Sequence, residues 1–192
     1  MKKTFIFAAT LIISAAISTT NVQAQQTEKK DLDPKSAEPT LVNIILADVI
    51  SLEHGPGALA KDVTFEYNTA EQYNTNQNIV ADNALWVTSS RGFQLEVEAK
   101  GTHFVSEETT DKIPVGVMDL HVTSGTALPK VNLSKSVTLK TTPQVLLVSG
   151  VVGAQKTVGI TYTIPALQAQ THLIGKDPKK YKQQVVYTAT SK

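Results

Sequence analysis

Apolar and polar residues alternate through Phe93–Lys100. Phe93, Leu95, Val97 and Ala99 fall on one side, and Gln94, Glu96, Glu98 and Lys100 on the other. A period of two marks a strand with one dry face and one wet face. A second such segment is Thr157–Ile164, where Val158, Ile160, Tyr162 and Ile164 alternate with Thr157, Gly159, Thr161 and Thr163 until Pro165 stops the strand. The two segments are predicted to face a common interior, with Gln94, Glu96 and Glu98 in water. A slip of one residue in either would expose four apolar groups. Upstream, the run Leu85–Val87 holds the only tryptophan, Trp86, and Thr88–Gly92 reads as a turn. The pattern predicts a hairpin across that turn with Trp86 at the centre of the core.

Weaker alternation fills in the rest. Leu41–Leu52 is rich in β-branched residues and apolar on both faces, which fits a buried helix as well as a strand. The β-branching and the His-Gly-Pro-Gly turn from His54 favour a strand, bent near Ala47-Asp48. Val63, Phe65 and Tyr67 alternate with Thr64 and Glu66 as a short strand. Asn68–Asn83 is rich in Asn and reads as a long surface loop. Val115–Val122, Val131–Leu139, Val145–Val148 and Tyr181–Thr190 are further strand candidates, and Ala166–Lys180 reads as a linker with a basic end. The total is seven to nine short, mostly antiparallel strands with no convincing helix after the N-terminal segment. That combination predicts an all-β sandwich or barrel. An outer-membrane barrel would need aromatic girdles at both interfaces. Aromatics here are 6% of the chain and do not cluster at strand ends, which favours the sandwich.

The N-terminus changes the picture of where the protein works. Lys2 and Lys3 precede an apolar run, Phe5–Ile17, and a polar stretch ends in Val22-Gln23-Ala24. This is the layout of a secretory signal peptide, residues 1–24, cleaved before Gln25. The alternative, a retained anchor, has too short an apolar run to span a ~30 Å hydrocarbon core. The expectation is a protein secreted to the periplasm or cell surface of a bacterium, with no membrane span after cleavage. Residues 25–39 are charged, contain two prolines and have only Leu32 as a large apolar residue, so they form a flexible leader. They also lack the alternation of a strand donated to a neighbouring subunit. A donated segment would have to be the next one, from Leu41. Residues 40–192 form the β-sandwich domain. The formal net charge of +1 becomes −1 on loss of Lys2 and Lys3, a balance that argues against nucleic acid or anionic lipid as a partner. There is no Cys, hence no disulfide staple and no thiolate metal site.

Candidate chemistry is sparse. The four His (His54, His103, His121, His172) are far apart in sequence; His121 and Asp119 share a strand face, as do Glu96 and Glu98. An exposed strand face supplies neither the cleft nor the unequal environments that acid–base catalysis needs. No phosphate-binding loop, dinucleotide fingerprint or nucleophile-elbow motif occurs. No catalytic residue, cofactor or metal is predicted, and the chain reads as a non-enzyme. The one ligand-binding candidate is in the 67–83 loop, where Tyr67 and Tyr73 could stack on a sugar edged by Asn74, Asn76 and Asn78. Trp86 is a further candidate for that stacking surface.

Trp86-Val87 followed by FQLEVEA, the VGITYTIPA strand and the terminal Y-x-x-x-V-x-Y-T-A-T together resemble secreted immunoglobulin-like surface domains. Examples are the WxL-type wall-surface proteins and the spore-coat-U-like subunits of archaic chaperone–usher pili. The resemblance covers the pattern of roughly residues 40–190. It implies an immunoglobulin-like sandwich in a surface or fibre-like protein with a structural or adhesive role, whose partners are further copies of itself or other surface proteins. A secreted carbohydrate-binding module, with a glycan as partner, is the alternative.

Overall fold

The computed structural model describes residues 41–192 apart from residues 57, 58, 60 and 130–135. The predicted signal peptide and leader lie outside the described residues. From Ile45 onward the chain is one compact unit, a β-sandwich of antiparallel strands with two short helices. One sheet has five strands in the order β1 (Ile50–His54), β2 (Gln77–Ser89), β9 (Gly153–Ile164), β6 (Asp119–Ser124) and β7 (Ser136–Thr138). The other has β10 (Val185–Ser191), β3 (Phe93–Ala99) and β8 (Gln144–Gly150); β4 (His103–Val105) and β5 (Lys112–Pro114) form a small separate ribbon. That makes ten strands among the described residues, three of them only three residues long, against the seven to nine predicted.

The two best-patterned segments are the centre of the sandwich. In β3 the side chains of Phe93, Leu95, Val97 and Ala99 are buried; in β9 those of Val158, Ile160, Tyr162 and Ile164 are buried, and all eight belong to one core. Burial of one such aliphatic side chain contributes ~1.5–3 kcal/mol. The opposite face of β3 is less wet than predicted. Gln94, Glu96 and Glu98 are half-buried, with Gln94 Nε2 donating to Glu96 Oε1 at 3.0 Å and Lys100 Nζ lying 3.0 Å from Glu98 Oε1. Leu95 pairs with Leu147 and Phe93 with Gly150, and a methyl group on Gly150 would run into the Phe93 ring.

Five expectations are corrected here. The segment across Ser90–Gly92 is no hairpin: β2 and β3 belong to different sheets, so this turn carries the chain across the sandwich. Trp86 is half-buried on the face opposite Leu85 and Val87, not the centre of the core. Asn68–Asn83 is no loop. It contains α1 (Ala70–Asn74), whose first turn is closed by Gln72 Oε1 accepting from the Thr69 N–H at 2.9 Å, and the first half of β2. Ala166–Lys180 starts with α2 (Ala166–His172), for which Pro165 supplies the preset φ of a first turn. In the Val115–Val122 segment, Val115–Val117 is a 3-10 turn. Val115 and Val117 are therefore buried together with Met118, Leu120 and Val122, while Asp119 and His121 are half-buried.

Candidate functional site

The site-bearing region lies between the leader and β2. Of the segment predicted as a strand, Leu41–Leu52, only Ile50–Leu52 is one, and the strand runs on to His54: β1 pairs with Leu85–Ser89 of β2, from Ile50 opposite Ser89 to His54 opposite Leu85. Residues 41–49 have no regular structure. Their side chains are exposed, and among the described residues it is here that large apolar residues are most exposed: Leu41, Ile44, Ile45 and Leu46 are 83–92% accessible. The correction has a physical cause. A strand forms only where a neighbour completes its ladder, and β2 offers β1 only five positions. The segment ends firmly. Ser90 N donates to the Val49 carbonyl at 2.9 Å, Val49 N donates to Ser90 Oγ at 2.9 Å, and Arg91 Nε lies 2.7 Å from Asp48 Oδ1.

After β1, Gly55 passes so close to the Asn83 carbonyl that no side chain would fit, and its N–H donates to the Ala84 carbonyl at 2.9 Å. The chain then runs to α1 through Lys61–Tyr67. This segment alternates as predicted: Val63, Phe65 and Tyr67 are half-buried against the core, with Thr64 and Glu66 exposed. It has no strand assignment, which corrects the strand expected there. Among the described residues, no backbone–backbone hydrogen bond involves Lys61–Tyr67. It has the side-chain geometry of a strand without the ladder.

Tyr67 and Tyr73 do come together, with ring centroids 4.9 Å apart and planes inclined at 45°. The tilt prevents them from forming one flat platform. The Tyr67 hydroxyl is buried with no partner among the described residues, and burial, then the neighbouring Tyr73, push its pKa up to about 12. The three Asn amides hold the fold together. Asn74 Oδ1 accepts from Gln170 Nε2 at 3.0 Å, Asn76 Oδ1 from the Ala166 N–H at 2.8 Å, and Asn78 Oδ1 from Thr163 Oγ1 at 2.7 Å. They dock α1 and the start of β2 onto α2 and the end of β9. Trp86 pairs with Glu53 and Thr157 in the other half of β2, well away from Tyr67. Its indole Nε1 is buried without a partner among the described residues.

The other same-face pairs are also engaged. Asp119 Oδ1 accepts from Thr138 Oγ1 at 2.6 Å, and the His121 Nδ1 is buried without a partner among the described residues. A set of polar contacts ties residues 108–111 to 176–179. Thr109 Oγ1 donates to Asp177 Oδ2 at 2.6 Å, Asp177 N to Asp111 Oδ2 at 2.9 Å, and Lys179 Nζ to Glu108 Oε2 at 2.9 Å. The Glu108 carboxylate holds the Lys179 ammonium above its ordinary pKa. No helix among the described residues is long and apolar enough to cross a membrane. No protein-family model matches this chain, and no curated protein matches it in sequence.

Sequence reasoning singled out Tyr67 and Tyr73, and the structure sets their rings side by side. It missed what distinguishes the region: an exposed apolar run, and an extended segment without a ladder. The signal was present in Leu41–Val49, which is apolar on both faces, whereas its neighbours in the sheet are apolar on one.

Proposed function

We propose that this chain is a non-enzymatic, exported bacterial protein that builds or coats a surface by self-association, with a structural or adhesive role. The observation that supports it is the exposed run Leu41–Val49 beside a well-packed sandwich. Isolated apolar side chains on a surface need no explanation, but a contiguous run marks an interaction site. Covering Leu41, Val42, Ile44, Ile45 and Leu46 at ~1.5–3 kcal/mol each gives a driving force on the scale of a domain's net stability. The immunoglobulin-like patterning and the signal peptide read from the sequence support an assembly outside the cytoplasm. Light scattering coupled to size-exclusion chromatography, with negative-stain microscopy, tests it. Concentration-dependent oligomers or fibres are expected, and a strict monomer at high concentration overturns it.

A second reading keeps Tyr67 and Tyr73 as a glycan-binding surface. The contact between their rings favours it, and the tilt of the rings and the engaged Asn carbonyls count against it. Retention on insoluble polysaccharide that Tyr73→Ala abolishes would support this reading. Absence of retention on any glycan removes it.

A further inference from the structure

The ribbon of β4 and β5 has a face that the core does not use. Phe104 packs against the core, its register partner Ile113 is buried in it, and alternation turns His103, Val105 and Lys112 to the other side. The chain returns along this ribbon at residues 182–184. Val105 and Lys182 exchange backbone hydrogen bonds of 3.0 and 2.8 Å, Lys100 N donates to the Gln184 carbonyl at 3.0 Å, and Gln183 Nε2 donates to the His103 carbonyl at 2.6 Å. These segments surround a hollow of about 370 Å³, lined by Lys100, Thr102, His103, Lys112, Gln183 and Gln184. Gly101 forms part of its wall, where a methyl group would stand 2.9 Å from Gln183 Nε2. A second hollow of about 330 Å³ meets the first at Thr102, which lines both. Its polar lining is completed by Lys140, Thr141 and Thr142, and the Ala99 N–H holds the Lys140 carbonyl at 2.8 Å. Each hollow has the size of a small ligand pocket, at the low end of ~300–1,000 Å³.

The lining is chemically one-sided. Three lysines, three threonines, two glutamines and a histidine line the hollows, and no carboxylate does so among the described residues. Only Lys100 of the three lysines has an ion-pair partner among those residues, Glu98. The Gln183 carbonyl oxygen, an acceptor, is already taken by the Gln184 N–H at 2.8 Å. With the Thr102 hydroxyl donating to His103 Nδ1 at 2.8 Å, the ring proton is on Nε2 and the imidazole is a donor as well. A neutral sugar needs acceptors for its own hydroxyls, which this lining is poor in. A nucleic-acid strand uses aromatic side chains to stack its bases, and no aromatic ring other than the imidazole lines the hollows. An anionic membrane calls for about four to eight clustered cations, more than are gathered here. Linked phosphates present anionic acceptor oxygens, and lysines of one sign around a concavity focus their field on such a ligand.

We infer that the two hollows bind an oligophosphate, a chain of linked phosphate groups that passes Thr102 and pairs with Lys112 on one side and Lys140 on the other. This is independent of the self-association proposed above.

Calorimetric titration of the full chain with inorganic tripolyphosphate at low ionic strength tests it. One-to-one binding is expected, at least tenfold tighter than that of orthophosphate and weakened by salt. Lys112 and Lys140 are exposed, so Lys112→Glu with Lys140→Glu leaves the core intact and should weaken binding at least tenfold. Lys61→Glu with Lys192→Glu makes the same charge change outside the hollows and should alter binding less than twofold. Thr102→Leu places an apolar side chain where the hollows meet and leaves the charge alone; a loss of at least threefold is expected. Failure to bind, equal losses in the two lysine pairs, or parental binding by Thr102→Leu overturns the site. Orthophosphate bound as tightly as tripolyphosphate overturns a chain of phosphates as the ligand. Tighter binding of polygalacturonate or of a thymidine oligonucleotide overturns the ligand class. ATP separates the sources of such a chain: affinity equal to that of tripolyphosphate supports free oligophosphate, and at least tenfold tighter binding supports a nucleotide's phosphate tail.

Discussion

The β3–β9 core and the segment from Leu41 to Tyr67 are built from similar residues and end in different states. Leu95, Val97, Val158 and Ile160 are sealed between two sheets. Leu41, Ile44, Ile45 and Leu46 are as apolar and stand in water. Hydrophobicity does not distinguish them; the ladder does. β3 has β10 on one side and β8 on the other, and β9 lies between β2 and β6. Of Leu41–Val49, only Asp48 and Val49 have a hydrogen-bond or ion-pair partner among the described residues, in Arg91 and Ser90, and Lys61–Tyr67 makes no backbone–backbone hydrogen bond among them. An apolar strand is stable where backbone pairing and side-chain cover arrive together, and here one half of the molecule supplies both internally.

Substitutions sharpen that contrast. In the core, Leu95→Ala should cost ~2–5 kcal/mol, read as a large fall in the thermal midpoint. A shift as small as that of a surface variant would mean that β3 is not the centre. Tyr187→Phe comes next. The Tyr162 and Tyr187 hydroxyls lie 2.6 Å apart and link a strand of one sheet to a strand of the other, so loss of one leaves its partner unpaired at ~1–3 kcal/mol.

The same pair sets an alkaline limit. Burial holds the Tyr187 phenol well above its ordinary pKa of 10.0 and also raises that of Tyr162, while Tyr67 is pushed up to about 12. In the unfolded chain these groups lose their protons near pH 10, whereas in the folded protein they keep them. Their contribution to stability is therefore complete below about pH 10 and is lost as the pH rises above it, for Tyr67 through about 12. Urea midpoints measured between pH 8 and 11.5 should fall steeply above pH 10, and less so in Tyr187→Phe. A flat profile would contradict the buried state of these phenols.

On the wet face, Glu96→Ala should cost well under ~1 kcal/mol, because its neighbours Gln94 and Glu98 are half-open to solvent. The smallest effect is expected at Tyr67→Phe. Its hydroxyl has no partner among the described residues, so its removal should leave the melting temperature unchanged or slightly raised. A clear loss of stability would show that this hydroxyl has a partner in the folded protein.

The sandwich class, both central strands and their buried faces were legible because their alternation is unbroken. β2 was not, and the reason is local. Asn83 takes a left-handed φ of 54°, and the pairing with β9 slips between Ala81 and Leu85. This bulge buries Ala81, exposes Asp82 and Asn83, and then buries Ala84 and Leu85 in succession, so a single thirteen-residue strand reads as a polar loop followed by an apolar run. The assignment of β2 and β3 to different sheets was also illegible, since a short turn between two strands looks the same whether they pair or cross. At the candidate site, the tyrosine contact followed from proximity in the chain. The tasks of Asn74, Asn76 and Asn78 did not, because their partners Gln170, Ala166 and Thr163 lie more than eighty residues away.

The five-residue pairing of β1 with β2 has a mechanical consequence. A pull on the chain ahead of Val49 enters the sandwich at the start of β1. β1 is then drawn lengthwise along β2, and its hydrogen bonds from Ile50 to His54 bear the load together instead of opening one after another. The rate of forced unfolding under such a pull is set by the rupture of that short ladder as a unit. The Asp48–Arg91 ion pair and the two Ser90 bonds stand ahead of it as the first contacts to feel the strain.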